Sequence, residues 1–308
     1  MLRSLLVPLD GSTFSERSLP FAGKIARATG ASLHLAQVHV PYEPDSLLGS
    51  TQFQLEGVNV AEYDAQHRDR EEDYLTRLTE RLADEGGPVD SKMLDGTEVA
   101  EELASYADEV HTDMIFMTTR GYSGANRLWL GSVADEMIRQ SRLPMFVIHP
   151  EEPGMLPDGV FSVRHILIPL DGSKLAESVI DPATELARAT GAFITLAHVV
   201  PTGELNDWPV LAPLRESPVP KLDGALAYLG GVADELRAEG LDVRTHAVHG
   251  AHAAVTIAEI ADQLDADVIA LATHGNGGLK RTLLGSVADK LLRASTLPLL
   301  VMRPPALA

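Results

Sequence analysis

The chain has 308 residues, a formal net charge of −19 at pH 7 and no cysteine. An acidic body repels nucleic acid and anionic membranes, so neither is expected as a partner. The absence of cysteine excludes thiol catalysis, disulfides and cysteine-ligated metal clusters, and it is compatible with a reducing cytoplasm.

The first predicted element is a strand over Leu5–Leu9, which ends at the turn sequence Asp10-Gly11-Ser12. Because this strand begins almost at once, the N-terminus does not have the layout of a signal peptide. No apolar run reaches the roughly 18 residues of a transmembrane helix. We therefore expect a cytoplasmic location and no membrane partner.

The same layout returns in the second half of the chain. Leu170 is followed by Asp171-Gly172-Ser173, and the segment Ala26–Ala31 recurs as Ala187–Ala192. A self-match with so long a period indicates a duplicated domain and not a solenoid of short repeats. The predicted organisation is a first domain over residues 1–150, a linker over residues 151–162 and a second domain over residues 163–308.

Strands and helices alternate in each copy. A helix over about 14–29 is stopped by Gly30, and its counterpart over about 175–190 is stopped by Gly191. The later strands are predicted at Leu33–Val40, 89–94, 113–117 and Met145–His149, and at Phe193–Val200, 243–248, 267–271 and Leu299–Arg303. This alternation predicts an α/β fold of two tandem doubly wound domains. Each would be a five-stranded parallel sheet, of order 3-2-1-4-5, flanked by helices.

The conspicuous loops follow the first and fourth strands of each copy. In a sheet of this order the strand order reverses between those two strands, and ligands bind beyond their carboxyl ends. The fourth strands lead through Gly-bearing loops to Gly131-Ser132-Val133 and to Gly285-Ser286-Val287, where a helix begins. Backbone N–H groups and the helix dipole favour an anion there. The pattern predicts a phosphate cradle, with Asp10 or Asp171 accepting the exocyclic amine of a base.

These motifs resemble the universal stress protein domain, and the whole chain resembles a tandem universal stress protein. The resemblance is carried by Pro-Leu-Asp-Gly-Ser after the first strand, by Gly-x9-Gly-Ser, and by Leu-Pro before the last strand, in both copies. It implies a stress-response protein that binds ATP, or AMP or ADP, with Mg²⁺ or Mn²⁺ on the phosphates. It also implies an unknown protein partner, and two copies that pack as a pseudo-dimer within the chain. Such chains could pair further as a homodimer.

The family's nucleotide-binding residues are carried over by position. They match Asp10, Val38, Gly121, Gly131, Ser132 and Val133 in the first copy, and Asp171, Val199, Ala272, Thr273, Gly275, Gly285, Ser286 and Val287 in the second. The family motif Gly-x2-Gly-x9-Gly-Ser/Thr loses its first glycine, because Thr118 and Ala272 stand there. Alanine is a smaller change than β-branched threonine, so the second copy is expected to bind more readily.

Each of these residues also has a purely structural interpretation. Ser132 and Ser286 open the sequence Ser-Val-Ala-Asp and are predicted to be helix N-caps, with or without a phosphate contact. Asp10 and Asp171 also suit plain turn positions. Several basic residues near the Gly loops are either solvated or compensate an anion on this acidic chain: Arg120, Arg127, His274, Lys280 and Arg281.

Dedicated catalysis is not indicated. The chain has no recognisable Ser/His/Asp set, no nucleophile elbow and no Walker segment. We expect nucleotide-dependent interaction with at most slow ATP hydrolysis. The alternatives are an interaction module that does not bind nucleotide, and a weak ATP-hydrolysing enzyme. His246, His249 and His252 are spaced three apart, but zinc needs converging ligands, so no metal ligand is predicted.

Overall fold

The computed structural model describes residues 1–42, 59–119, 130–149, 162–202, 222–274 and 284–304. By its internal packing the chain divides into two compact units, Met1–Met137 and Ile138–Ala308. Apart from Ser162, the predicted linker lies outside the described residues. Among the helices of the described ranges, none combines the length and the apolar character that crossing a membrane requires.

The first half of the chain alternates strands and helices as predicted. Its elements are β1 (Ser4–Leu9), α1 (Leu19–Thr29), β2 (Ser32–His39), α2 (Val60–Asp84), β3 (Val89–Asp95), α3 (Val99–Glu109), β4 (Met114–Thr118), α4 (Ser132–Gln140) and β5 (Met145–Ile148).

The second half repeats this alternation. Its elements are β6 (His165–Pro169), α5 (Lys174–Glu177), α6 (Ile180–Thr190), β7 (Phe193–Pro201), α7 (Leu222–Ala238), β8 (Val243–Gly250), α8 (Ala253–Gln263), β9 (Val268–Ala272), α9 (Ser286–Ala294) and β10 (Leu299–Met302).

The strand order confirms the predicted α/β fold. In the first half of the chain it is 3-2-1-4-5, with β1 parallel to both β2 and β4. Within the second unit the order is β8-β7-β6-β9-β10, which is again 3-2-1-4-5, and every neighbouring pair in it is parallel. The order therefore reverses beside β1 and beside β6.

One strand pair in the second unit is antiparallel. β5 is the last strand of the first sequence copy, yet its contacts group it with the second unit. It pairs with β10, with Leu299 opposite Val147 and Val301 opposite Met145. The paired residues Phe146 and Leu300 are almost completely buried, so this pairing adds apolar area to the core.

The central strands are apolar on both faces because helices cover the sheet. All six residues of β1 and all five of β4 are buried. A strand buried on both faces has a continuous apolar sequence, which explains why period-2 alternation is absent from these segments.

A half-buried carboxylate joins the starts of the first and fourth strands in each copy. Asp113 Oδ2 accepts the amides of Arg3 and Ser4 at 2.6 and 3.0 Å. Asp267 Oδ2 accepts the amides of Arg164 and His165 at 2.8 and 3.0 Å. A hydrogen bond to a charged group is stronger than a neutral one, so each carboxylate holds two strand starts in line.

The glycine C-caps agree with the sequence prediction, but one helix start does not. Gly30 and Gly191 are confirmed as C-caps, with φ of 72° and 74°. The single helix predicted over about 14–29 is wrong in its first part, because a 3-10 turn covers Ser15–Ser18 and α1 begins only at Leu19. Pro20 explains the break, since proline has no N–H and tolerates only the first turn of a helix.

His165 predicts a specific pH dependence of stability. It is 3% exposed, its Nδ1 lies 3.0 Å from Leu264 O, and its Nε2 lies 2.8 Å from Thr195 Oγ1. Burial lowers the pKa of His165. As the pH falls, the unfolded chain therefore takes up a proton on this histidine before the folded chain does. The contribution of neutral His165 to the free energy of unfolding is thus present above the unfolded pKa of about 6.5 and is lost as the pH falls below it.

We expect His165→Ser to weaken that dependence. Serine is the residue at the matching position of the first copy, where Ser4 Oγ donates to Val110 O at 2.8 Å, so it can keep an equivalent bond without titrating. Urea unfolding at about pH 7.5 and about pH 5.5 gives the free energy of unfolding on either side of the histidine pKa. The decrease in unfolding free energy from the higher to the lower pH should be smaller in the variant than in the wild-type chain. An equal decrease would contradict the assignment of this pH dependence to His165.

Candidate functional site

The turns after β1 and β6 have the same geometry. Asp10 Oδ1 accepts Ser12 N at 3.0 Å and Ser12 Oγ at 2.6 Å. Asp171 Oδ1 accepts Ser173 N at 3.0 Å and Ser173 Oγ at 2.5 Å. These are Asx turns, so the structural interpretation of both aspartates is correct as far as Oδ1 is concerned. Both residues are also exposed at the carboxyl edge of the sheet, where a ligand can approach them.

The glycine before the fourth helix is tied to the end of the fourth strand. Gly131 N donates to Thr119 O at 2.6 Å, and Gly285 N donates to Thr273 O at 2.7 Å. We call these two bonds the glycine–threonine clamps. The two threonines are only 2% and 1% exposed, so each clamp is anchored in the core. Each clamp therefore fixes a helix N-terminus beside the loop that follows the first strand.

The helix caps correct one sequence prediction. Gly285 is the N-cap of α9, and its carbonyl accepts Asp289 N at 2.9 Å. Gly131 O accepts Asp135 N at 2.8 Å in the same way. Ser132 and Ser286 are thus the first helical residues and not N-caps, because the clamp places the glycine at the cap. Both serine side chains are exposed, and a glycine cap supplies no side-chain acceptor to the first-turn amides.

A pocket in the first unit brings the two loops together. Its volume is about 200 Å³. It is lined by Pro8, Leu9, Asp10, Ser15, Val99, Leu103, Met117, Thr118, Thr119, Gly131, Ser132, Val133 and Ala134. The Asx-turn carboxylate therefore lines one wall, and the start of α4 lines another. A third wall is apolar and is formed by Val99 and Leu103 of α3. Thr118 lies in the wall without closing the pocket.

The strand register brings the two predicted valines near the aspartates. Leu9 pairs with Gln37, so continuing by one residue places Val38 across from Asp10. In the second unit Pro169 pairs with Ala197, and the same continuation by two residues places Val199 across from Asp171. Both valines are half-buried. The pocket of the first unit does not include Val38 in its lining.

The remaining predicted residues fall into two groups. In the second unit Ala272, Gly285 and Val287 are half-buried, like Gly131 and Val133 in the first. Gly121 and Gly275 lie outside the described residues, as do Arg120, Arg127, Lys280 and Arg281. His274 is half-buried beside the clamp, and its Nδ1 lies 3.1 Å from Thr273 Oγ1. Its buried Nε2 makes no hydrogen bond with the described residues.

A tyrosine–glutamate pair supports each Asx turn, and sequence reasoning missed it. Tyr74 Oη donates to Glu16 Oε1 at 3.2 Å, and Tyr228 Oη donates to Glu177 Oε1 at 3.0 Å. Burial first, and then the neighbouring carboxylates, raise the pKa of both tyrosines, so the hydroxyls stay protonated and remain donors. The backbone joins each glutamate to its turn, because Glu16 N donates to Ser12 O at 3.4 Å and Glu177 N donates to Ser173 O at 3.1 Å.

The fold and the paired loops define a duplicated, doubly wound α/β protein with a pocket at the carboxyl edge of the sheet in its first unit. The model of the universal stress protein family matches residues 1–149 and 162–303. The chain therefore belongs to the universal stress protein family.

Individual relatives agree with this assignment. A universal stress protein of Mycolicibacterium smegmatis is 28% identical over 193 residues, which cover 62% of this chain and 62% of that protein. The chain thus spans less than two thirds of that relative. One from Methanocaldococcus jannaschii is 28% identical over 148 residues, which cover 46% of this chain and 83% of the relative.

A solved structure shows the same fold over nearly the whole chain. The crystal structure of a universal stress protein from Archaeoglobus fulgidus superposes with a TM-score of 0.70 at 19% identity. The match covers 97% of this chain and 98% of that one. At this identity the likeness concerns the fold alone.

The clamp predicts that Gly285 tolerates no side chain. A Cβ there would lie 2.9 Å from Thr273 O, although its φ of −60° and ψ of 146° suit any residue. Gly285→Ala should therefore cost about 1–3 kcal/mol of unfolding free energy through overpacking. Chemical denaturation measures this loss.

Gly231→Ala is the matched control in the same unit. Gly231 lies inside α7 with open space around its Cα. Alanine there should stabilise the helix by about 0.5–1 kcal/mol. Opposite signs for the two variants are the expected result, whereas a neutral Gly285→Ala would contradict the clamp.

Proposed function

We propose that the chain is an adenine-nucleotide-binding universal stress protein. It binds ATP, and AMP or ADP by the same contacts, and it acts in the cytoplasm through nucleotide-dependent interaction with a protein partner and not through dedicated catalysis. The observation that carries the proposal is the pocket of the first unit, which gathers Asp10, Thr118 and the Gly131–Val133 helix start around one space.

The phosphates would occupy the helix start. The first four N–H groups of a helix have no intrahelical acceptor, and the dipole adds a partial positive charge there. Gly131 as the cap leaves these amides uncovered by a side chain, and the exposed Ser132 hydroxyl adds a donor. On a chain with a net charge of −19, such a local donor set is what makes an anion site feasible.

The base would lie toward the Asx turn. Asp10 uses Oδ1 to accept two hydrogen bonds from Ser12, which fixes the orientation of the carboxylate. A carboxylate can accept only, so it recognises the exocyclic amine of adenine. Leu103 and Val99 supply an apolar wall for the face of the ring. The described pocket of about 200 Å³ is smaller than most cofactor sites, so it would hold only part of the nucleotide.

A divalent ion, Mg²⁺ or Mn²⁺, would accompany the phosphates. Among the described residues that line the pocket, Asp10 is the only acidic one, and it lies on the side proposed for the base. The ion would therefore be held mainly by the phosphate oxygens, with the Ser132 hydroxyl as the nearest protein oxygen at the helix start. It would neutralise phosphate charge, which an acidic chain makes necessary.

The second unit would form an equivalent site. The Asp171 turn, the clamp and the exposed Ser286 repeat the first-unit geometry. The half-buried Ala272 replaces Thr118, and His274, whose Nε2 makes no hydrogen bond within the described part of the chain, lies next to the clamp. Since Thr118 does not close the first pocket, we propose that both copies bind nucleotide.

Substituting an aspartate at the helix start tests phosphate binding and helix stability independently, because the two should change in different directions. Ser132→Asp and Ser286→Asp should each reduce ATP affinity in their own copy by at least about 100-fold, because like charges repel strongly at close range. The same change should leave stability equal or raise it by about 0.3–1 kcal/mol, since acidic residues favour a helix N-terminus. Isothermal titration with Mg²⁺–ATP measures affinity and stoichiometry.

Ser132→Asn and Ser286→Asn are the matched controls, because asparagine has the shape of aspartate without its charge. They should keep most of the affinity. The wild-type stoichiometry should fall from two to one in each single aspartate variant and to zero in the double variant. No ATP binding by the wild-type chain, or equal affinity in all variants, would remove the proposal.

The Asx-turn carboxylate should set the preference for adenine. Asp171→Asn and Asp10→Asn each keep one side-chain oxygen to accept the hydrogen bonds of the turn. The second carboxylate oxygen is replaced by an NH₂ group, which donates. Guanine presents an acceptor oxygen where adenine presents its amine, so the variants should reduce the ATP-to-GTP affinity ratio by about 10-fold or more. Competition titrations with the two nucleotides measure this ratio. An unchanged ratio would show that the carboxylate does not contact the base.

A further inference from the structure

A second polar cluster lies at the end of β2, where α2 packs against it. His39 Nδ1 lies 2.6 Å from Glu71 Oε2, and His39 Nε2 lies 3.3 Å from Asp64 Oδ1. His67 Nδ1 lies 3.4 Å from Glu71 Oε1. One ligand atom from each of His39, His67 and Glu71 falls within 4.8 Å of the others. The helix spacing of Asp64, His67 and Glu71 puts all three on one face.

Two nitrogens of this cluster are buried and unsatisfied. His39 Nε2 and His67 Nδ1 are shielded from solvent, and neither makes a hydrogen bond with the described residues. The His39 side chain is 2% exposed and that of Glu71 is 15% exposed. A buried polar atom without a partner costs free energy, so two of them facing the same carboxylates need an explanation.

The charge around His39 is negative. Glu71 Oε2 lies 2.6 Å from one ring nitrogen of His39, and Asp64 Oδ1 lies 3.3 Å from the other. Arg68, the residue after His67 on α2, is paired with Asp95 at 2.9 Å and with Glu72. Among the described residues, neither Glu71 nor Asp64 pairs with a lysine or an arginine, so a further cation can approach them.

We propose that His39, His67 and Glu71 form a binding site for a divalent transition-metal ion such as Zn²⁺, with Asp64 as a fourth donor. Imidazole and carboxylate are ligands that Zn²⁺ takes at about 2.0–2.2 Å in tetrahedral geometry, which separates neighbouring ligand atoms by about 3.3 Å. The 3.4 Å between His67 and Glu71 and the 3.3 Å between His39 and Asp64 match this spacing.

Neighbouring residues hold the donors in place. Tyr42 N donates to Asp64 Oδ1 at 2.8 Å, and Gln37 Nε2 donates to Glu71 Oε1 at 3.0 Å. The ring of Tyr42 packs edge-on against His67, with centroids 5.5 Å apart. Hydrogen bonds and ring contacts of this kind orient the side chains that would bind the metal ion.

The second copy is a natural control within the same chain. The position of His39 is occupied there by Val200, since Val38 corresponds to Val199. Tyr74 and Tyr228 occupy equivalent positions in the two copies, since each donates to the glutamate beside its Asx turn. Three residues earlier, Glu71 therefore corresponds to Ala225. Both replacements are buried apolar residues, so the cluster belongs to the first copy alone. The triad His246, His249 and His252 is described by the structure and forms no converging group.

The test is a Zn²⁺ titration of the full-length, metal-free chain without nucleotide, with a chromophoric chelator as competitor. We expect one tight equivalent per chain. His67→Gln and Glu71→Ala should each reduce the affinity by at least about 100-fold, because each removes a ligand. Alanine at 71 is the residue of the second copy, and His67 is partly exposed, so both variants should fold; circular dichroism checks this. Co²⁺ in place of Zn²⁺ should give the visible absorption of tetrahedral coordination.

His34→Gln is the matched control. His34 Nδ1 lies 2.7 Å from Asp90 Oδ1 on neighbouring strands, and it is a histidine–carboxylate pair outside the proposed ligand set. Zn²⁺ affinity should be unchanged in this variant. The proposal is overturned if the wild-type chain binds no stoichiometric Zn²⁺, or if binding survives both ligand substitutions. Because nucleotide is absent, these outcomes do not depend on whether the chain binds ATP.

Discussion

The glycine–threonine clamp is the contact on which the geometry of the candidate site depends. A bond of 2.6 Å in one copy and 2.7 Å in the other joins the core end of a strand to the start of a helix. Because the threonines are buried, the helix start cannot shift without disturbing the sheet. The clamp therefore fixes the first-turn amides in the protein alone, which would lower the ordering cost of binding the proposed ligand.

The clamp also explains why a glycine stands at the cap. A side chain at Gly285 would contact the carbonyl that the clamp needs, while the backbone angles there are ordinary. The constraint is thus close approach and not a left-handed conformation. A glycine cap has a second consequence, since it leaves the helix amides without a side-chain acceptor. The same residue therefore satisfies the packing of the strand end and would keep the proposed anion site open.

Much of the fold was predictable because its signals are local and occur twice. The duplicated turn sequence, the alternation of elements and the glycine C-caps all follow from short segments, and the structure confirms them. The serine caps were predicted wrongly because Ser-Val-Ala-Asp satisfies a local rule, whereas the clamp, a tertiary contact, moves the helix start by one residue. The cluster at His39 was missed for a related reason. Asp64, His67 and Glu71 have a helical spacing that the sequence shows. His39, which completes the cluster, lies on a strand 25 residues before Asp64.

The two copies share the clamp and the Asx turn but differ beside β2, and this difference has a functional consequence. Gln37 donates to Glu71, and its Nε2 lies 3.9 Å from where a side chain at Gly11 would begin. A metal ion on Glu71 would bind the same carboxylate oxygen that Gln37 contacts, next to the turn that holds Asp10. Metal and nucleotide would then influence each other's affinity in the first copy, and such coupling is reciprocal by thermodynamic necessity. In the second copy Val200 and Ala225 provide no such link. Duplication would thus allow one nucleotide site to respond to a metal ion while the other keeps its affinity.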